Sequence, residues 1–401
     1  MAGLTLKSNI AWNSVGSLTY SMCQWLITVL VVRLASSMEA AGTLALAMAV
    51  SNVFQPIALY RMRSYQVSDI HENTSSGEYI GMRIVTIAIA FVISVTYGFT
   101  TNDISALPCI ILYIIFRAGD IFIDVLHGID QKNMRMDYCG QSLALRGILM
   151  LIGFSAALKV TGTLEPAVIA MILFTYPVII LDARRASQFA SVRPVFAAKE
   201  LAELLKTCFP SVLGMAACNL TVTYSRQYLS YAQGPEALGI YASICTPIVI
   251  IQACAGYVYS PLLGFFATLL DNHDAKGFRK LLFTVVLILF AIFGIGGLGF
   301  LLFGDLFIGT VFGEGLRPYT YLIYTGILSC ACTACVAFLG DLLIAKRDMM
   351  GNCIGNLVSL MCALPLAPIF INTVGMNGAS LAVTVSYIMG IAVMLYRLLR
   401  E

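Results

Sequence analysis

Apolar segments long enough to cross a bilayer follow one another along almost the whole of this 401-residue chain. A helix rises about 1.5 Å per residue, so about 20 apolar residues span the roughly 30 Å of hydrocarbon in a membrane. Because 59% of the residues are hydrophobic and only 11% are charged, the sequence predicts an all-α, polytopic membrane protein. Hydropathy places about twelve spans, at residues 8–33, 40–60, 83–99, 108–128, 143–160, 166–182, 209–232, 238–266, 281–303, 318–343, 351–371 and 378–397.

The lysines and arginines are distributed unevenly among the loops that join these spans. Most of the 24 fall in or beside alternate loops, and Arg83 and Arg146 are counted among them. Only Arg33, Lys159 and Arg317 fall on the opposite side. Since positively charged loops remain in the cytoplasm, both termini are predicted to be cytoplasmic. The net charge of +3 gives no indication of nucleic acid or another acidic partner.

The sequence predicts two halves of six spans each, covering residues 1–190 and 209–401, with residues 191–208 as a cytoplasmic linker. In this linker Leu201 and Leu204 lie on the opposite side from Lys199 and Glu203, the pattern of an amphipathic helix on a membrane surface.

A short repeated motif indicates that the two halves are related. Glu39-Ala40-Ala41-Gly42 opens the second span, and Glu236-Ala237-Leu238-Gly239 opens the eighth. Each motif stands at the same place in a half of the same orientation. This favours a parallel internal repeat about an axis along the membrane normal, with a cavity between the halves.

The span from Pro108 to Gly128 carries charged residues near its middle. Arg117 lies at mid-depth, and Asp120 and Asp124 follow at i+3 and i+7 on the same helical face. A charge at the bilayer centre costs about 2.5 to 3.5 kcal/mol on insertion scales, so Arg117 is expected to face water, protein or an anionic ligand. Their position makes the two aspartates candidates for a structural pair with Arg117.

Polar residues also recur at helical spacing along the first and seventh spans. Asn13, Tyr20 and Gln24 form a stripe on the first span, which either lines a wet cavity or makes hydrogen bonds between helices. Asn219 and Arg226 lie on the seventh span. We expect Arg226 either to be a second cation in the cavity or to pair with an acid near the outer surface, such as Glu39 or Glu236.

Two further arginines, Arg61 and Arg63, stand at the inner end of the second span. They either anchor the helix at the cytoplasmic surface or capture a phosphate there, because guanidinium groups match phosphate oxygens.

The sequence gives no sign of a metal or cofactor site. The three histidines, His71, His127 and His273, are dispersed, and the twelve cysteines are scattered through apolar segments. The glycines from Gly294 to Gly299 match a dinucleotide fingerprint only formally, since they lie inside an apolar span without a βαβ unit. The loops on the outer side are short, so the sequence does not predict an enzyme.

The chain resembles the polysaccharide flippases, the oligosaccharidyl-lipid branch of the superfamily that also contains multidrug and toxin extruders. The most specific motif is Gly128-Ile129-Asp130-Gln131-Lys132-Asn133-Met134-Arg135-Met136-Asp137 after the fourth span. Weaker matches are Asn9 through Arg33-Leu34, Arg61 to Asp69, Ser225-Arg226-Gln227-Tyr228 and Leu238 to Ala242. The chain departs from the family at Ala35, where a glycine is common.

This resemblance implies a flippase of the bacterial cytoplasmic membrane that moves undecaprenyl-pyrophosphate-linked sugar repeats to the outer leaflet. Arg117 and Arg226, with Arg61 or Arg63, would bind the pyrophosphate, and Asn13, Tyr20, Gln24 and Asn219 would meet the sugar. A coupling ion (H⁺ or Na⁺) and polysaccharide assembly proteins are implied partners, and no soluble cofactor is implied. Asp120 and Asp124 would either couple transport to this ion or form a structural pair with Arg117. The alternatives are a multidrug antiporter of the same fold and a membrane-embedded polysaccharide polymerase or ligase.

Overall fold

The computed structural model describes residues 4–34, 38–101, 104–312 and 314–400. Within these ranges the chain consists of α-helices and two short 3₁₀ segments, without strands. The helices of the first part are α1 (Leu6–Leu34), α2 (Met38–Leu59), α3 (Met62–Val67), α4 (Ser76–Thr101), α5 (Leu107–Lys132), α6 (Met136–Thr161) and α7 (Leu164–Ala186). They are followed by α8 (Ala198–Tyr259), α9 (Leu263–Asp271), α10 (Ala275–Phe312), α11 (Leu322–Ala345), α12 (Met349–Val374) and α13 (Asn377–Leu399).

Ten helical segments in the described part of the chain are long and apolar enough to cross a membrane. They include two parts of α8, which loses helical geometry at Gly234. α2 and α5, of 22 and 26 residues, are also of membrane length, and α5 carries Arg117 and Asp120 near its middle. The exposed side chains of α10, such as Phe283 and Leu302, are large and apolar, as a lipid-facing surface requires. The prediction of an all-α protein with about twelve membrane-length helices is confirmed.

The first compact unit covers Met1–Cys208. In it α1 packs against α6, while α5 contacts α2, α4 and α7. α1 and α6 cross at Gly16 and Gly140, where a Cβ on Gly16 would lie 2.2 Å from the Gly140 carbonyl oxygen. Phe116 and Phe154 are fully buried in the apolar core beside this crossing. Small residues at the crossing let the backbones touch, which is how membrane helices pack closely.

The second compact unit covers Phe209–Glu401. In it α13 packs against α11 and α12, and α10 packs against α11. Gly390 on α13 approaches Gly355 on α12, since a Cβ on Gly390 would lie 2.7 Å from the Gly355 carbonyl oxygen. The hydroxyls of Tyr241 and Ser380 lie 2.8 Å apart in the interior, so each of these buried groups has a hydrogen-bond partner.

Asp348 caps the start of α12. Its carboxylate accepts a hydrogen bond from the Gly351 backbone N–H at 2.8 Å and a two-pronged ion pair from Arg397 at 2.8 and 2.9 Å. Burial opposes ionisation of this carboxyl, but these hydrogen bonds outweigh it and hold the pKa of Asp348 below its ordinary value. The pair therefore ties the beginning of α12 to the end of α13.

The boundary between the two units falls inside α8. Residues 194–197 precede this helix, and the Val195 backbone N–H donates to the Gly77 carbonyl at 2.9 Å. From Ala198 the chain is helical, with Leu201 and Leu204 buried and Lys199 exposed. The relation of the two halves by an internal repeat stays a prediction.

Candidate functional site

The polar stripe on α5 is the centre of an ionic network in the first unit. Asp120 accepts a hydrogen bond from Arg117 at 2.7 Å on one carboxylate oxygen, and Tyr20 of α1 donates to the same oxygen. Arg146 of α6 binds the other oxygen, and its guanidinium lies 5.1 Å from the Tyr20 ring centre. Gln24 in turn donates to the Tyr20 hydroxyl at 3.1 Å. Asp120 thus connects α1, α5 and α6.

Asp124, one helical turn further along α5, is also held by two arginines. Arg63 of α3 donates to one oxygen at 3.1 Å, and Arg83 of α4 donates to the other at 2.8 Å. Arg83 is completely buried and makes two further 2.8 Å hydrogen bonds, to the carbonyls of Ala58 and Leu59. Asp124 therefore joins α5 to α3 and α4. It also orients the Arg83 guanidinium, which donates hydrogen bonds to the last carbonyls of α2.

These two sets of ion pairs carry an excess of positive charge, because each aspartate is shared by two arginines. A carboxylate can accept several charge-assisted hydrogen bonds, which fix the guanidinium planes, but it neutralises only one cation. The remaining charge is costly inside a membrane and attracts an anion that carries complementary acceptor oxygens. The arrangement is therefore suited to binding a phosphate or a similar anion.

Arg117 also lines a narrow, partly open cleft between α2, α4 and α5, with a cavity volume of about 20 Å³. Ser51, Gln55 and Ser94 add polar groups to its walls, and apolar side chains such as Ile114 and Phe91 form the rest. The Arg117 side chain keeps 14% of its surface exposed although Asp120 pairs with it. The guanidinium is thus oriented by Asp120 and is still accessible to a group that enters the cleft.

The structure brings Tyr20 and Gln24 into this network but places Asn13 elsewhere. Asn13 is buried on α1, three residues before Gly16 and the close crossing with α6. Its neighbour Asn9 accepts a hydrogen bond from the Met136 backbone N–H at 2.8 Å. The stripe predicted on the first span therefore divides into a helix-contact part and a part that contacts the α5 charges.

Arg61 and Arg63 lie close in sequence but in different conformations. Arg63 belongs to the Asp124 pair and also donates to Gln131 at 3.0 Å. Arg61 is half-buried in the left-handed region, with φ of 54°, and directly precedes α3. The structure thus places Arg63 against the stripe of α5.

In the second unit, Arg226 is half-buried on α8, and its Nε has no hydrogen-bond partner among the residues that the structure describes. The side chains of Glu39 and Glu236, the alternative partners considered from the sequence, lie outside the described part. Asn219 is exposed two turns earlier on the same helix. Arg226 and Asn219 therefore remain candidates whose role is a prediction.

Two of the network's arginines correct the sequence-based assignment. Arg83 and Arg146 were placed beside cytoplasmic loops, but they lie within α4 and α6, at 0% and 3% exposure, and pair with α5. A count of charges near span ends does not show which arginines have a buried partner. The one available signal is position, since α4 begins at Ser76, about two turns before Arg83.

The chain is similar to one curated protein in sequence and to several solved structures in fold. No protein-family model matches the chain. The capsular polysaccharide biosynthesis protein CapF of Staphylococcus aureus is 23% identical over 389 residues, which cover 95% of this chain and 96% of CapF.

Solved structures of MATE transporters match the whole chain at low identity. A variant of Vibrio cholerae VcmN superposes with a TM-score of 0.81 at 14% identity, covering 97% of this chain and 94% of that one. The eukaryotic MATE transporter AtDTX14 gives 0.74 at 14%, with coverages of 99% and 96%. A Pyrococcus furiosus transporter of the MOP superfamily, described by the reverse polarity of its binding pocket, gives 0.71 at 13%, with coverages of 98% and 95%. The chain thus has the MATE fold and is a multi-pass membrane protein, and the predicted superfamily resemblance is confirmed.

Proposed function

We propose that this protein is a flippase that moves undecaprenyl-pyrophosphate-linked oligosaccharide repeats across the bacterial cytoplasmic membrane for surface polysaccharide assembly. The observation that carries this proposal is Arg117, a buried arginine that Asp120 orients toward a cleft inside a transporter fold. A pyrophosphate carries concentrated negative charge, and fixed guanidinium groups lower the electrostatic cost of moving that charge through about 30 Å of hydrocarbon. The name of the Staphylococcus aureus relative supports the link to polysaccharide synthesis.

In this proposal the arginines act on the pyrophosphate and the polar side chains act on the sugar. Arg63 or Arg61 would meet the pyrophosphate first, followed by Arg117 and Arg226. Tyr20, Gln24 and Asn219 would contact sugar hydroxyls. Asn13 is buried, so a sugar contact there requires a rearrangement that exposes it.

Asp120 and Asp124 were candidates for ion coupling or for structural pairing. Their contacts favour pairing, because each carboxylate accepts charge-assisted hydrogen bonds from two arginines. Their role in the proposal is to hold the arginines in place while the anion binds and leaves. Alternating access would come from movement of one six-helix half against the other, as in other transporters with internal repeats.

The proposal is tested by deleting the gene in the native host and locating the lipid-linked sugars. We expect complete undecaprenyl-linked repeats to accumulate on the cytoplasmic leaflet, and R117Q to reproduce this defect when reintroduced. The matched control is R279Q, which removes an exposed arginine at the start of α10. Repeats that reach the outer leaflet and stay unpolymerised would refute the flippase and favour a polymerase or ligase, whereas unaltered repeats with increased drug sensitivity would favour a multidrug antiporter.

A further inference from the structure

A second group of titratable side chains lies at the end of α5, beyond the arginine network. Three of these side chains are buried: His127 (2% exposed) and Asp130 (0%) on α5, and Asp182 (0%) on α7. The Nε2 of His127 lies 3.6 Å from Asp182 Oδ2, which also accepts the hydroxyl of Ser142 on α6. Three helices thus enclose one imidazole and two carboxyl groups.

The polar atoms of this group are incompletely satisfied. Both carboxyl oxygens of Asp130 lack a hydrogen-bond partner among the described residues, and so do Asp182 Oδ1 and His127 Nε2. Asp120 and Asp124 differ in this respect, since two arginines bridge each of them. Asp130, by contrast, forms no hydrogen bond to a basic side chain among the described residues.

The two basic groups nearest Asp130 make their recorded hydrogen bonds to other residues, although Nη1 of Arg185 has no partner among the described residues. Arg63 of α3 is paired with Asp124 and Gln131, and Arg185 of α7 donates to Gln141 at 3.1 Å with its guanidinium 4.9 Å from the Tyr138 ring. The remaining titratable groups around the site are Asp124 of α5, Asp137, Cys139 and Arg146 of α6, and Asp182 of α7.

Burial without hydrogen bonds makes an ionised carboxylate costly by several kcal/mol, and a nearby carboxylate adds repulsion. Both effects favour the neutral acid at Asp130. His127 lies beside Asp182, so an imidazole and the Ser142 hydroxyl are the recorded polar neighbours of the Asp182 carboxyl group.

We propose that Asp130, with His127 and Asp182, forms a binding site for one exchangeable proton, which is carried by the Asp130 carboxyl. The proton is taken from solvent and returned to it, leaving a carboxylate on release. The site differs from Asp120 and Asp124 in residues and in chemistry, and it does not depend on which molecule the protein transports.

The test is infrared difference spectroscopy of the purified full-length protein in lipid nanodiscs, titrated from acidic to alkaline pH. We expect a protonated-carboxyl C=O band that persists at neutral pH, disappears at alkaline pH and is absent in D130N. The matched control is D69N, because Asp69 is equally buried at 2% but accepts hydrogen bonds from Tyr79 at 2.9 Å and from the Thr74 backbone N–H at 3.1 Å. The band should survive in D69N. Its absence from the unmodified protein at neutral pH, or its persistence in D130N, would overturn the proposal.

A second variant keeps the test decisive if D130N does not fold. D182N removes the neighbouring negative charge and leaves Asp130 in place, so the band should vanish at a lower pH than in the unmodified protein. An unchanged titration midpoint in D182N would show that the two carboxyl groups do not form one site and would also overturn the proposal.

Discussion

Arg83 donates a 2.8 Å hydrogen bond to the Asp124 carboxylate while none of its own side chain is exposed. The same guanidinium donates hydrogen bonds to the carbonyls of Ala58 and Leu59, so one side chain binds both the Asp124 carboxylate and the last carbonyls of α2. Removing this side chain would leave the Ala58 and Leu59 carbonyls without this donor, whereas Asp124 would keep its ion pair with Arg63.

The variant R83A is therefore expected to lower the free energy of unfolding by about 1 to 3 kcal/mol, the usual cost of leaving a buried polar group without its partner. The measurement is chemical or thermal unfolding of the purified protein in detergent. K132A is the control, since Lys132 pairs at 3.2 Å with the exposed Glu72, and surface pairs contribute less than about 1 kcal/mol. Equal losses in the two variants would contradict the role assigned to Arg83.

The role of Arg117 can be measured by binding of farnesyl pyrophosphate, a soluble prenyl pyrophosphate, to the purified protein. Loss of a charge-assisted hydrogen bond costs about 1.5 to 3 kcal/mol, so R117Q is expected to weaken binding by roughly 10- to 150-fold. R117K should lie between R117Q and the unmodified protein, because lysine keeps the charge without the two-pronged geometry.

Farnesol, which lacks the pyrophosphate, provides the control for this measurement. Its binding should be the same in R117Q and in the unmodified protein. If both ligands lose affinity equally, Arg117 supports the cleft structurally and does not contact the anion.

The close crossing of α1 and α6 predicts a position-specific effect of added side-chain volume. G16A would place a Cβ 2.2 Å from a backbone oxygen of Gly140, which cannot rotate away. We expect a loss of about 1 to 3 kcal/mol in unfolding free energy, as for other overpacked sites. G294A on α10 is the matched control, because a Cβ there meets no atom within 4 Å. G294A should be neutral or stabilise the protein by up to about 1 kcal/mol. Similar effects of G16A and G294A would argue against backbone contact at Gly16.

The ion pair between Asp348 and Arg397 predicts a dependence of stability on pH. Because the pKa of Asp348 is lowered in the folded protein, the pair contributes stability above the ordinary Asp pKa of about 4, and this contribution is lost as the pH falls through the lower folded value. D348N should flatten the decline in unfolding temperature below about pH 4. An identical decline in D348N and in the unmodified protein would show that other carboxyl groups cause the acid sensitivity.

The sequence was sufficient for the fold because membrane-length apolar helices have few alternatives in lipid. It also placed Arg117, Asp120 and Asp124 on one face of α5, since helical spacing alone decides this. It did not reveal that Tyr20 and Arg146 converge on Asp120, because those contacts join α1 and α6 to α5 across more than twenty residues of chain. Pairing across helices depends on packing, which the order of residues along one helix does not specify.

The anchoring of Arg83 to two carbonyls and a carboxylate has an electrical consequence. A cation fixed in this way stays in the membrane when a bound anion departs, so the anion crosses the transmembrane voltage without its counter-charge. When the cytoplasm is 100 mV negative, the free energy falls by about 2.3 kcal/mol for each negative charge that moves to the outside. If the pyrophosphate is what crosses, the membrane potential alone would favour its export, and collapsing that potential would slow it.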